Sequence, residues 1–183
     1  MAKLIVCLTG MPGSGKSTIV SALKARGLEA LNLGDGVRAE AKRRNLEPTG
    51  DNLGKLMLEL REKNGPGAIA TLLTEQIKNS QSRVIIVDGV RSAAEIEVLK
   101  NVGDVKLLSI EASTDTRYKF LSSRGRSDDP KTKEKFSERD NRELGVGVGK
   151  PIEMADETIS NSNITLDELI EQAYKVIEKW IDN

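Results

Sequence analysis

The run Gly10-Met-Pro-Gly-Ser-Gly-Lys-Ser17 places glycines, a lysine and a hydroxyl at the spacing GxxxxGK[ST]. Those residue types suit one task, holding a chain of phosphates. Gly13 and Gly15 let main-chain N–H groups turn inward around phosphate oxygens, which a Cβ would obstruct. A helix beginning at Lys16 aims its positive end at the same point. Lys16 reaches the β- and γ-phosphates of a nucleoside triphosphate, and Ser17 offers its hydroxyl to Mg²⁺. Thr18 adds a hydroxyl near the α-phosphate. The nucleotide-holding set is therefore Gly10, Met11, Pro12, Gly13, Ser14, Gly15, Lys16, Ser17 and Thr18.

A carboxylate should face this loop from the end of a neighbouring buried strand. Asp88, after the apolar run Val84-Ile-Ile-Val87, meets that requirement and is read as a holder of Mg²⁺ through water. The competing role for Asp88 is a turn aspartate before Gly89.

The elements that must position these groups follow from hydrophobic periodicity. Apolar runs at 3–9, 29–33, 83–88, 104–112 and 155–161 read as strands. Between them lie helical stretches at Lys16 to Arg26, 35–45, 51–63, 67–79, from Ser92 to Asn101, and 114–122. Ser92-Ala-Ala-Glu95 and Thr165-Leu-Asp-Glu168 have capping-box spacing. Asp129-Pro130 reads as an N-cap followed by proline at the first helical position, opening a polar helix to about Arg142. The last helix repeats Leu166, Leu169, Ile170, Ala173, Ile177, Trp180 and Ile181 at helical spacing, the pattern of a core-facing stripe. Strands alternating with helices predict an α/β fold with a parallel, five-stranded sheet. Two excursions interrupt it, at about 34–80 and 122–145, within a single domain spanning 1–183.

Composition narrows the function. The 28 basic and 28 acidic residues cancel, and aromatic residues make up 3% of the chain. Nucleic acid and anionic membranes favour a basic surface, so neither is the expected partner. With one cysteine and no histidine, disulfides, four-cysteine zinc sites and imidazole catalysis are excluded. Cys7, inside the first apolar run, reads as a core residue. No signal peptide precedes Lys3 and no apolar run reaches the ~20 residues of a membrane span, so a cytoplasmic protein is expected.

No NKxD guanine motif and no LSGGQ signature occurs, and the segment after the last strand leaves no room for the helical domain of a ring ATPase. What remains resembles the P-loop small-molecule kinases, the adenylate kinase and dephospho-CoA kinase superfamily, most of all an archaeal branch related to adenylate kinase. Gly34-Asp-Gly-Val-Arg38 resembles the G-D-x-x-R of nucleoside monophosphate kinases. Asp88-Gly-Val-Arg-Ser92 resembles their D-G-F-P-R, with the arginine one residue nearer the aspartate. Gly125-Arg-Ser-Asp-Asp129 is similar to the G-R-x-D-D of their lids, and the stretch 155–169 to their A-D-x-x-I-x-N-x-G ending, with Asn163 where glycine is usual. The resemblance spans nearly the whole chain. It implies a P-loop NTPase core with acceptor-binding and lid excursions, and ATP with Mg²⁺ as cofactors. It further implies that Arg38 and Arg91 grip the acceptor, that Arg126 closes from the lid, that Asn161 borders the nucleotide, and that Arg117 stacks on the ATP base. As an alternative, Arg117 is a surface arginine.

Phosphoryl transfer needs charge neutralisation and alignment more than covalent help, and guanidinium groups supply both. Lys16, Arg124, Arg126 and either Arg139 or Arg142 are the candidates to close over the transferring group. The first reading is a kinase for a small-molecule acceptor, a nucleoside monophosphate such as AMP. The second is a kinase for a hydroxyl acceptor such as dephospho-CoA, with Asp35 as base. The third is a nucleotide-binding regulatory ATPase, for which the run Gly145-Val-Gly-Val-Gly149 offers a flexible loop near the lid, otherwise a hinge.

Overall fold

The computed structural model describes residues 2–125 and 129–182. Five strands form one parallel sheet: β1 (Leu4–Thr9), β2 (Glu29–Asn32), β3 (Val84–Asp88), β4 (Asp104–Glu111) and β5 (Glu157–Ser160), in the order β2-β3-β1-β4-β5. The first strand is therefore central. Strand side chains alternate between faces, so β1 supplies two cores. Ile5 and Cys7 join Ile85, Val87 and the helices α2 (Leu33–Arg43), α3 (Gly50–Asn64), α4 (Ala68–Asn79) and α5 (Ala93–Lys100). Val6 and Leu8 join Ile86, Leu108 and Ile110 against α1 (Lys16–Ala25) and α9 (Leu166–Ile181). Cys7 is fully buried, and burial pushes its thiol well above the usual range, so it is an inert core group.

Both capping boxes form. Ser92 accepts from Glu95 N and Thr165 from Glu168 N, with each glutamate reaching back to its cap. Leu169, Ala173 and Ile177 are buried while Leu166 and Ile181 emerge at the ends, so the stripe of α9 is core. Asn163 has φ of 63°, the left-handed region, which accounts for glycine being usual there and asparagine tolerable.

Local readings fail where tertiary contacts take over. α2 begins at Leu33, two residues earlier than the sequence suggests, because the Asn32 side chain accepts from Gly34 N and caps it. α6 (Thr114–Arg124) runs on to a left-handed Gly125. α7 (Lys133–Val146) starts from Thr132, whose hydroxyl accepts from Lys135 N, and not from Asp129. The Asp129 carboxylate is instead bound to Arg124. Gly145-Val-Gly-Val-Gly149 is no flexible loop. It contains the end of α7, a left-handed Gly147 cap, the buried Val148 and the start of α8 (Gly149–Glu153).

Candidate functional site

Ligands of parallel α/β sheets bind beyond the carboxyl ends of the strands. Here the loop leaving β1 lies between β3 and β4, with Leu8 beside Asp88 in register. Gly10, Gly13 and Gly15 have φ of 134°, 82° and 107°. A Cβ on Gly13 would sit 2.8 Å from Arg117 O, and one on Gly15 2.7 Å from Asn161 Nδ2. The cradle is thus backed by α6 on one side and by the β5–α9 loop on the other. Asn161 Nδ2 donates to Ser14 O at 2.9 Å, so Asn161 braces the loop from behind. No side chain caps α1 at Gly15; Thr18 N donates to Gly15 O at 3.1 Å, and the N–H groups of Lys16 and Ser17 before it suit an anion.

Lys16 Nζ donates to Gly10 O at 2.6 Å and Met11 O at 3.0 Å. Burial pushes its ammonium down to about 8, opposed by the nearby Asp88 carboxylate. Burial in turn raises Asp88, opposed by Lys16 and by the Asn32 hydrogen bond. Asp88 Oδ2 accepts from Asn32 Nδ2 at 3.0 Å, whereas Oδ1 is buried with no hydrogen-bond partner among the described residues. Such an orphaned carboxylate oxygen beside a lysine and the Ser17 side of the cradle fits a hydrated Mg²⁺, a hard cation that takes few protein ligands and keeps its waters. Among the described residues no group of three or more acidic, cysteine or histidine side chains could hold a metal, so any ion would lean on Asp88, Ser17 and the phosphates.

One cleft of about 230 Å³ joins this cradle to the two excursions. It is lined by Gly10, Pro12, Gly13, Gly15, Lys16, Ser17 and Asp88, and by Arg38, Arg91, Arg124 and Arg139 among the expected guanidinium groups. The four come from α2, the β3–α5 turn, α6 and α7. Arg91 pairs with the buried Glu143 of α7 at 3.0 Å. Asp129 meets both Arg124 and, at 3.8 Å, Arg139. In a chain of zero formal charge, the cleft gathers six cations against three carboxylates. Anionic ligands are what such a field concentrates.

Several expectations need correction. Arg142 is exposed and does not line the cleft, which leaves Arg139 as the α7 arginine at the site. Asp35 does not line it either: its side chain is 71% exposed, pairs with Arg38 at 2.7 Å and borders an outer groove between β2, α2 and α4. Through that pair it lies next to a guanidinium that lines the cleft without lining the cleft itself. Arg117 neither stacks toward the cleft nor lies on the surface. It is buried, donates to Pro12 O at 3.0 Å, grips Asp140 with both terminal guanidinium nitrogens and lies 4.9 Å over the Phe136 ring. Met11 and Ser14 belong to the loop and Thr18 to the first turn of α1, and none of the three lines the cleft. Arg126 falls outside the described residues.

Asn32, Arg61, Glu95 and Glu143 also line the cleft and were not singled out from the sequence. Glu95 was visible only as a helix cap. Arg61 had one legible signal. It continues the stripe Leu53, Met57, Arg61 at i, i+4 spacing, a lone cation on the face that packs inward.

The pattern of an AAA domain matches residues 9–137. A UPF0200 protein of Pyrococcus abyssi is 40% identical over 87% of this chain and 88% of its own. One of Hyperthermus butylicus is 38% identical over 97% and 95%. Among solved structures, a protein of Thermus thermophilus superposes with a TM-score of 0.71 at 19% identity, covering 98% of both chains. Shikimate kinase of Bacteroides thetaiotaomicron gives 0.65 at 15% identity, covering 96% and 98%. At those identities the likeness is one of fold, the P-loop kinase-like fold that the motif resemblance implied. With relatives 38–40% identical over 87–97% of its length, the chain belongs to the UPF0200 family.

Proposed function

We propose that this protein is a phosphotransferase that moves the γ-phosphoryl group of ATP·Mg²⁺ to an anionic small molecule, with nucleoside monophosphates such as AMP as the acceptor class. The observation that carries this reading is the shared cleft: the phosphate cradle, Arg38 and Arg91 on the acceptor side, and Arg124 and Arg139 on the lid side open into the same space. Lys16 and the α1 N-terminus suit the donor phosphates, and Ser17 with Asp88 suits the ion. Magnesium, when bound, supplies charge neutralisation on the donor phosphates.

In the step itself an acceptor oxygen forms a bond to the γ-phosphorus while the bond to the β,γ-bridging oxygen breaks, leaving ADP. An ionised acceptor has no proton to lose, so the step needs no base. That matches a cleft whose carboxylates are engaged: Glu95 with main-chain N–H groups and Glu143 with Arg91, while Asp88 faces the magnesium side. Asp35, paired at 2.7 Å with the cleft-lining Arg38, fits either acceptor class, and Asp35→Asn separates them: it should cripple transfer to a hydroxyl and be milder for an anionic acceptor.

The test is an incubation with ATP·Mg²⁺ and a panel of nucleoside monophosphates, dephospho-CoA, shikimate and simple alcohols, scoring phosphorylated product. A diphosphate product with one monophosphate, lost in Lys16→Ala, is the expected result. ADP formed at the same rate without any acceptor supports a regulatory ATPase instead, and product from an alcohol alone overturns the anionic-acceptor reading.

A further inference from the structure

The acceptor side of the cleft holds one more cation than its sequence motifs announce. Arg61 of α3 lines it with Arg38 and Arg91. Its guanidinium carries five N–H donors, of which one is used among the described residues, from Nη2 to Glu95 Oε1 at 3.4 Å. That bond is long for a charged pair, whose usual span is about 2.7–2.9 Å. Among the described residues it is the one hydrogen bond to Glu95 Oε1. The carboxylate is 1% exposed, and its other oxygen accepts from Arg91 N at 2.7 Å and Ser92 N at 3.2 Å. One buried carboxylate therefore faces two acceptor-side arginines, one through its side chain and one through its main chain.

Resting on the phosphotransfer reading above, we propose that Arg61 is a third acceptor-binding residue and that Glu95 positions it together with Arg91. The ligand class this specifies is a phosphate monoester with an apolar body. Three guanidinium groups, from α2, α3 and the β3–α5 turn, offer more donors than the two oxygens of a carboxylate can take. They match the three terminal oxygens and two charges of a phosphoryl group. The apolar lining beside them is Met57, one helical turn before Arg61, backed by the buried Val37 of α2 and Ile69 of α4.

The probe is phenyl phosphate, with benzoate as the monocarboxylate control, titrated calorimetrically into the full chain saturated with ADP·Mg²⁺ so that the cradle is filled. Wild type should bind phenyl phosphate at least ten-fold more tightly than benzoate. Arg61→Ala should weaken phenyl phosphate by about ten-fold or more, the scale of one lost charged hydrogen bond, with ADP affinity unchanged. Arg61→Lys, which keeps the charge and so guards against misfolding, should fall between the two because it loses the fork. Glu95→Gln should weaken phenyl phosphate while raising the acceptor KM more than it lowers kcat, and Glu95→Asp should recover part of both. Wild-type phenyl phosphate binding in both Arg61 variants, alongside loss in Arg38→Ala, overturns the proposal even if the kinase reaction is found. Arg61-dependent binding with no transfer to any acceptor supports the anion site and removes the phosphotransfer reading instead.

Discussion

The Asn32 side chain joins two parts of the cleft, donating from Nδ2 to Asp88 Oδ2 at 3.0 Å while Oδ1 accepts the Gly34 N–H at 2.8 Å. One amide thus caps the helix that carries Arg38 and fixes the carboxylate assigned to magnesium. Asn32→Ala removes both bonds. Loss of the cap should cost about 1 kcal/mol, and the freed Asp88 oxygen should raise the Mg²⁺ concentration needed for nucleotide binding. Asn32→Asp keeps the cap but sets a second carboxylate against the first. Like charges at that range do not both ionise readily, so its Mg²⁺ requirement should grow steeper as pH falls. Thermal melts and magnesium titrations at several pH values check both variants. An Asn32→Asp protein with wild-type magnesium behaviour would detach Asp88 from the ion.

The buried pair between Arg117 and Asp140 ties α6 to α7, and through Pro12 O ties both to the cradle. Truncating one partner strands the other charge, so Asp140→Ala should destabilise the fold by about 3–5 kcal/mol. Replacing both together, as Arg117→Met with Asp140→Leu, should recover most of that loss, because no charge is left unpaired. The double variant should also bind nucleotide less tightly, since Pro12 loses its brace. Chemical denaturation of the single and double variants gives the coupling energy. Additive losses would show that the two side chains do not act as a pair.

What the sequence made legible was local or pairwise along the chain. The cradle needs only the order of its residue types, and β1, β3 and β4 declare themselves as apolar runs. The two capping boxes require three-residue spacing and nothing else. What stayed hidden depends on which distant groups meet. Asp129 looks like a cap until Arg124 claims it, and then Thr132 takes its place. Arg117 looks like a surface or base-stacking arginine because neither Asp140 nor Phe136 is near it in sequence. Asp35 and Arg38 lie one turn apart on α2, yet only the packing of α2 on the sheet decides that Arg38 lines the cleft and Asp35 does not.

Arg139 and Arg142 are three residues apart on α7 and differ in placement. Arg139 lines the cleft with Arg124, while Arg142 faces out. If α7 closes on the transferring group, Arg139→Ala should lower the transfer rate by about 10³-fold or more, the range seen when a phosphate-stabilising arginine is removed. Arg142→Ala should leave rate and stability near wild type, within about 0.5 kcal/mol in stability. Single-turnover rates with saturating ATP separate the two. A larger loss for Arg142 would mean that α7 turns by most of a helical step on closing.

Lys16 gives the site a pH signature whose sign can be worked out. In the nucleotide-free fold burial lowers its ammonium to about 8, from an ordinary value of 10.5. Between those values the unfolded chain binds the extra proton, so the Lys16 contribution to stability rises as pH climbs through that window. Below about 8 the folded chain holds the charge under strain. Phosphates placed against the ammonium favour the charged form and lift its pKa back. Nucleotide binding at pH 9 should therefore take up close to one proton at Lys16, and at pH 7 none there. Affinity should fall about ten-fold for each pH unit above 8, because the protein must first be protonated. Calorimetry of a non-hydrolysable ATP analogue in two buffers of different ionisation enthalpy measures the uptake directly. Lys16→Arg, which stays charged throughout, should abolish the pH 9 uptake. Equal uptake in that variant would place the titrating group elsewhere, and a flat affinity profile from pH 7 to 9 would mean that Lys16 already holds its proton before the nucleotide arrives.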